Sequence, residues 1–228
     1  VPKLRRSGTF MADPALPLIS LDLRGQGIDV PAVRAAALTL ADDMPVVYKI
    51  FDILRSGTVE DISFQSKGSS PGDLGKTANM KIKGRLDKGG ILLSRLGLDF
   101  RDVSGDCKIE DGILQGRDLK GGIMHTRISD GKLSVGLKGK DALLHLDAAV
   151  SADMTDVHAV LNRLVKNPEF HQELGRVSVI SGNAEGRLVL GESLTSVRAK
   201  VDISKMKFSS NYDRIPLPIA IDQGIFSY

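Results

Sequence analysis

The chain has 228 residues, 42% hydrophobic and 26% charged, with a formal net charge of +3. That length suits one elongated domain or two small ones, and the apolar content excludes a disordered chain. Interleaved acids and bases, few aromatics and no Trp argue against a nucleic-acid surface and leave base- or sugar-stacking platforms poorly supplied.

Residues 1–14 read as a disordered or partial leading segment, and VPKLRRSGTF at the start shows no signal-peptide apolar region. With GIFSY at the other end it reads as a cut in a longer protein. No apolar run reaches the roughly 18 residues a membrane-spanning helix needs, so an anchor is expected outside this stretch. Residues 15–24, ALPLISLDLR, put Ile19, Leu21 and Leu23 on one face of a half-buried strand. Asp29 then reads as an N-cap with Pro31 in the first turn, and Asp43 before Pro45 as the cap of a second helix through Val46, Val47, Ile50, Phe51 and Leu54. Gly57 is predicted to end that helix as its C′ residue.

VEDISFQ predicts a strand, and residues 66–76, rich in Ser, Gly and Pro, a loop. From Ala78 the chain predicts some 70 residues of short strands: MKIKGRL, LGLDF, CKI, GILQG, MHTRI, KLSVGLKG and ALLHLDAAV. Asp87-Lys88-Gly89-Gly90, Asp111-Gly112, Gly121-Gly122, Asp130-Gly131 and Gly139 to Asp141 are placed between them as turns, because tight hairpins need positive φ. Helix returns at Asp153 with Val157, Val160, Leu161, Leu164 and Val165. Asn167-Pro168 restarts a second short helix and Gly175 closes it. Strands resume with VSVISG, NAEGRLVL, SVRAKVDIS and MKFSS, and two prolines make the start of IPLPIAI an edge or a bend.

The expected fold is therefore mainly β, with short helical pairs at about 30–56 and 154–175. The pairs resemble one another, which divides residues 15–228 into two related halves, 15–150 and 151–228; capped, proline-broken helices also arise without duplication.

Chemistry is sparse. Cys107 is the single cysteine, which excludes an intramolecular disulfide and a multi-cysteine zinc site. Of the histidines, His125 and His145 fall in predicted strands and His158 and His171 in predicted helices, with no HExxH spacing. There is no GxSxG elbow and no glycine loop joining strand to helix. Asp99, Asp102, Asp106, Glu110 and Asp111 form the densest acidic group. Paired carboxylates can hydrolyse glycosides, but Arg95, Arg101 and Lys108 lie beside these, and solvated turns and strand faces explain them better. No catalytic, metal or cofactor residues are assigned.

What recurs is parity. Met80, Ile82 and Leu86; Leu96, Leu98 and Phe100; Leu133, Val135 and Leu137; Leu144 and Leu146; Leu188 and Leu190; and Val197, Val201 and Ile203 keep one parity, opposite Lys, Arg, Asp, Ser and His. One face of a long antiparallel sheet is then apolar and the other charged. Such a face is either an ordinary closed core or the lining of an open trough.

The stretch VSGDCKIEDGILQGRDLKGG, residues 103–122, resembles the turn-and-strand phrasing of the AsmA-like superfamily, which includes AsmA, TamB and YhdP. SGNAEGRLVLGESLTSVRAKVDISKMKFSSNYDRIPLPIAIDQGIFSY is similar to the C-terminal part of its larger members. The resemblance implies an elongated, strongly curved antiparallel sheet forming a taco-like groove, lined by the apolar set above. It implies a periplasmic protein of a Gram-negative bacterium, anchored to the inner membrane by a segment absent from this chain. It implies a non-enzymatic conduit that binds phospholipid acyl chains and moves them between inner and outer membranes without a cofactor. The alternative within the superfamily is a scaffold for the assembly of outer-membrane proteins.

Overall fold

The computed structural model describes residues 18–227, apart from 41–44, 94–96, 140, 165–166 and 194. The predicted leading segment 1–14, the Asp43 cap and Leu96 lie outside the described residues. The fold is mainly β, 68% strand, in one open antiparallel sheet of eleven strands. The strands are β1 (Ile19–Asp29), β2 (Leu54–Gly68), β3 (Met80–Leu93), β4 (Leu98–Glu110), β5 (Ile113–Ile123), β6 (Thr126–Gly136), β7 (Leu144–Asp153), β8 (Val177–Glu192), β9 (Val197–Tyr212), β10 (Ile215–Ile221) and β11 (Phe226–Ser227). β1 to β10 pair in chain order, and β11 pairs with β9 beside β10.

The helices are α1 (Val30–Leu40), α2 (Pro45–Ile53), α3 (Pro71–Leu74), α4 (Met154–Leu164) and α5 (Pro168–Leu174). Local chemistry accounts for their starts. The Asp29 carboxylate accepts from Ala32 N (3.1 Å) at the head of α1, and Asp153 accepts from Thr155 N (2.8 Å) at the head of α4. Asn167 caps α5 by accepting from Glu169 N and Phe170 N, with Pro168 behind it, and Gly175 is its C-cap. β1 and β7 are both odd-numbered in a meander and run the same way. The α1/α2 and α4/α5 pairs that follow them therefore sit at the same end of the strands.

The predicted strands are too short, because most of the expected turns are bulges inside long strands. Asp111 (φ 53°) and Gly112 (φ 74°) do form the β4–β5 hairpin turn, both residues left-handed as a primed turn requires. Lys88 (φ 49°) in Asp87–Gly90 and Asp130 (φ 50°) lie within β3 and β6. Gly121 and Gly122 are inside β5; the turn to β6 is at Met124 and His125. Asp102 (φ 52°) and Asp118 (φ 50°) make equivalent bulges in β4 and β5. Gly57 (φ 116°) does not close α2, which ends at Ile53; it sits in β2 against the backbone of Gly89. The predicted loop 66–76 is the end of β2, then α3, whose first turn is capped by Ser70.

These bulges lie side by side. Gly57 meets Gly89, Gly89 meets the Val103 carbonyl, Gly105 meets the Arg117 and Asp118 carbonyls, and Gly131 meets the Leu119 carbonyl. A continuous line of extra residues thus crosses β2 to β6. Each bulge interrupts the ladder and raises the local right-handed twist.

The line makes a testable demand on glycine. Gly105 has φ 146°, and a Cβ there would stand 2.8 Å from the Arg117 carbonyl oxygen. Gly105→Ala is expected to cost roughly 1–3 kcal/mol. Gly191→Ala in β8, where a Cβ meets nothing within 4 Å, is expected to be neutral or stabilising by up to about 1 kcal/mol. Paired urea titrations check both, and equal losses would show that the bulge line is not the constraint.

Candidate functional site

The register puts the predicted apolar set on one face. A row runs through Leu23, Phe64, Ile82, Ile109, Leu114, Val135 and Leu144, each opposite the next across the ladders. The next runs through Gly25, Ile62, Gly84, Cys107, Gly116, Leu133, Leu146, Leu190 and Ala199. Leu86 stands opposite Gly105, Leu188 opposite Val201, Ile203 opposite Gly186, Leu98 opposite Leu93, Phe100 opposite Ile91, Met80 opposite Ser66 and Val197 opposite Glu192. All of these share the face. Leu137 falls just past the end of β6, where its N–H donates to the Gly112 carbonyl. Cross-strand apolar pairs of this kind are each worth about 0.2–1 kcal/mol.

The glycines on this face are covered by neighbouring side chains. A Cβ on Gly105, Gly116 or Gly131 would strike Leu119, one on Gly89 would strike Leu86, and one on Gly25 would strike Ile28. Leu119, Leu86 and Ile28 therefore lie flat across the sheet rather than standing up from it. Cys107, in the middle of this floor, has its thiol pKa raised by burial and then by the charge of Asp106.

The face is only partly covered. Among the described residues the buried apolar side chains are Val30, Met80, Leu86, Leu98, Ile123, Ala142, Ala148 and Ala184. Ile82, Phe100, Leu133, Val135, Leu144, Leu146, Leu188, Leu190, Val201 and Ile203 are half-buried, and Val197 is 50% exposed. α1 packs on β1 and β2, α2 on β2 and β3, and α4 on β7 and β8.

The opposite face carries ion pairs across the strands. Arg85 bridges Glu60 (3.3 Å) and Asp106 (3.2 Å), and Arg187 pairs with Asp147 (2.6 Å). Glu110 lies between Lys108 and Lys81, whose hydrogen bonds hold its pKa down to about 2. Asp99 pairs with Arg101 and Asp106 with Arg85, while Asp102 is in a bulge. The acidic group is spread along β4 and does not converge on a cleft. Among the described residues no three His, Cys, Asp or Glu side chains group as a metal site. A crevice of about 850 Å³ lies away from the apolar rows, between β8, β9 and residues 222–225, with Glu185, Lys205, Lys207 and Asp222 in its wall.

His125 is in a turn rather than a strand, and it meets a carboxylate. Asp156, 3% exposed on the first turn of α4, accepts from His125 N (2.7 Å), Thr126 N (2.7 Å) and Thr126 Oγ1 (2.9 Å), with His125 Nδ1 3.1 Å from its second oxygen. The pair has the composition of an acid–base dyad, but its carboxylate is fully engaged in tying α4 to the β5–β6 turn. Nothing near Asp156 in sequence announces this, since its backbone and side-chain partners on His125 and Thr126 lie about thirty residues away.

No family model, curated protein or solved structure matches the chain.

The Asp156 clamp has a pH signature. Burial opposes ionisation of this carboxyl, but the hydrogen bonds from His125 and Thr126 outweigh it, and its pKa lies below the usual value. A depressed folded pKa means the clamp's contribution is complete above the unfolded pKa of about 3.9 and is lost as pH falls through the lower folded value. Asp156→Asn is expected to destabilise by roughly 1–3 kcal/mol at pH 7. The gap from wild type should narrow only below about pH 4. Urea midpoints of both proteins between pH 2 and pH 7 check this, and a gap that narrows well above pH 4 would rule out Asp156 as the titrating group.

Proposed function

We propose that this chain is a non-enzymatic lipid-binding segment of an AsmA-like envelope protein, and that its apolar face is a groove for phospholipid acyl chains. In that role it belongs to the periplasm of a Gram-negative bacterium, anchored to the inner membrane through a segment outside this chain, and passes phospholipid between inner and outer membranes. One observation carries the reading. The sheet is a single open layer whose apolar side chains share one face from β1 to β9; most of them are half-buried, while Met80, Leu86 and Leu98 are buried and Leu23 and Val197 exposed. A closed sandwich would cover that face with a second sheet. Here the described cover is the short helices. The aligned bulges of β2 to β6 supply the means of curling such a layer into a trough, because each one bends its strand.

Scale supports a module rather than a whole bridge. Ten strands at about 4.8 Å spacing span roughly 45 Å, little more than one membrane's hydrocarbon and headgroup layers. An acyl chain needs no polar site, only a continuous dry surface, which matches a face built by repetition.

A second reading, a scaffold for outer-membrane proteins, is favoured by one feature. Among the described residues β1 pairs with β2 alone, so Ile19–Asp29 offers an unpaired edge to a client strand. Photo-crosslinking in cells from groove positions separates the two, by lipid or by polypeptide adducts.

Val135 tests the groove at its middle, between Leu114 and Leu144. Val135→Asp is expected to leave a folded protein, because water reaches a carboxylate on an open face, and to abolish loading from labelled phospholipid liposomes. Burial of an unpaired charge in a sealed core would cost several kcal/mol, at least about 3, and unfold the domain. A melting curve beside the loading assay decides: unfolding, or normal loading in a folded protein, sinks the reading.

A further inference from the structure

α4 and α5 are attached to the sheet at two points of very different character. At the head of α4, the Asp156 side chain is 4% exposed and holds the β5–β6 turn through two backbone N–H groups and the Thr126 hydroxyl. Thr126 Oγ1 also accepts from Asp153 N (3.2 Å), which closes the joint where β7 becomes α4. At the far end, α5 buries none of its side chains. It is tied down by Glu173, 45% exposed, which accepts from Tyr212 OH (2.6 Å) and Arg214 Nη2 (2.6 Å), and by a backbone bond from Asp213 N to the Arg176 carbonyl (3.1 Å).

The helices are also tied to one another. His158 Nε2 donates to the Leu174 carbonyl (3.1 Å), and His171 Nδ1 lies 2.8 Å from Asn162 Oδ1. Between the two attachments α4 packs on β7 and β8, with Val157, Val160 and Leu161 half-buried, and Ala184 of β8 is 6% exposed.

We propose that α4 and α5 form a strap across the β7–β9 part of the apolar face, hinged at Asp156 and latched at Glu173. The hinge is a buried, multiply bonded carboxylate, the kind of contact that persists through local fluctuations. The latch is a half-exposed carboxylate with a part-buried hydrogen bond from Tyr212 and an exposed ion pair to Arg214, surface contacts that contribute less and open more readily than the hinge. Release at Glu173 frees α5 and lets α4 pivot on Asp156, lifting Val160 and Leu161 off β7 and β8. The strap rests on the acyl-groove reading only for its purpose, which is to admit a chain at that end of the face.

Hydrogen–deuterium exchange on the whole chain tests the hinge and latch without lipid. In the wild type, α5 amides are expected to exchange faster than the bonded hinge amides of His125, Thr126 and Asp153. Glu173→Gln is expected to speed exchange in α5 and the C-terminal half of α4 about threefold to tenfold, leaving Thr126 and the head of α4 unchanged. The same variant should bind more anilinonaphthalene sulfonate at an unchanged melting midpoint. Tyr212→Phe, which keeps the ring and removes the donor, should do the same. Uniform exchange across α4, α5 and β8, or a lowered midpoint with exchange raised throughout β7–β9, would overturn the strap. Labelled phospholipid then tests the purpose separately: faster loading in Glu173→Gln supports a gate, and unchanged loading overturns it. No loading in either protein counts against the groove, while the exchange result still decides the strap.

Discussion

An antiparallel strand shows its side chains to alternate faces, so a single extra residue turns everything beyond it over. This sheet lives with that constraint in almost every strand. In β4 the apolar face is held by Leu98 and Phe100, then, after Asp102, by Val103, Cys107 and Ile109. In β5 it passes from Leu114 to Leu119 and Ile123 across Asp118, and in β6 from Ile128 to Leu133 and Val135 across Asp130. The amino-acid pattern changes parity at each bulge, and the inserted residue restores it. Neighbouring bulges must align for the ladders on either side to stay in register, which is why they form a line and not a scatter.

The same fact separates what was legible in the residues from what was not. Mainly-β character and the apolar parity could be read directly, because period two is unambiguous over four or five residues. The helix pairs could be read from Asp29, Asp153 and the Asn167-Pro168 step. Strand ends could not, because Asp and Gly tolerate positive φ and serve turns and bulges alike. Asp111-Gly112 and Asp130-Gly131 look identical in sequence, yet one reverses the chain and the other does not. Parity does not separate them: the apolar face passes from Ile109 to Leu114 across the turn and from Ile128 to Leu133 across the bulge, an odd step in both cases.

What escaped sequence reading altogether was how the helices are held. Short helices on a wide sheet bury too little apolar surface to be positioned by it alone, and α5 buries no side chain. Polar anchors take over: Asp156 grips the β5–β6 turn, Glu173 reaches Tyr212, and at the opposite end of the strands Ser66 Oγ donates to the Leu74 carbonyl (2.9 Å) to seat α3. Each joins residues distant in sequence or relies on a backbone partner, and neither leaves a local motif. The apolar rows, by contrast, depend on no single residue.

Strand order following chain order has a consequence for how such a protein is made. Each new strand from β2 to β10 finds its partner already in place, the one just completed, with no need to wait for a distant part of the chain. Contacts of short sequence separation form quickly, so the sheet can grow from its first hairpin as the polypeptide emerges, one edge at a time. Adding or removing a hairpin lengthens or shortens it by about 10 Å and leaves every other pairing untouched. A fold of this kind adjusts its span without redesigning its interior.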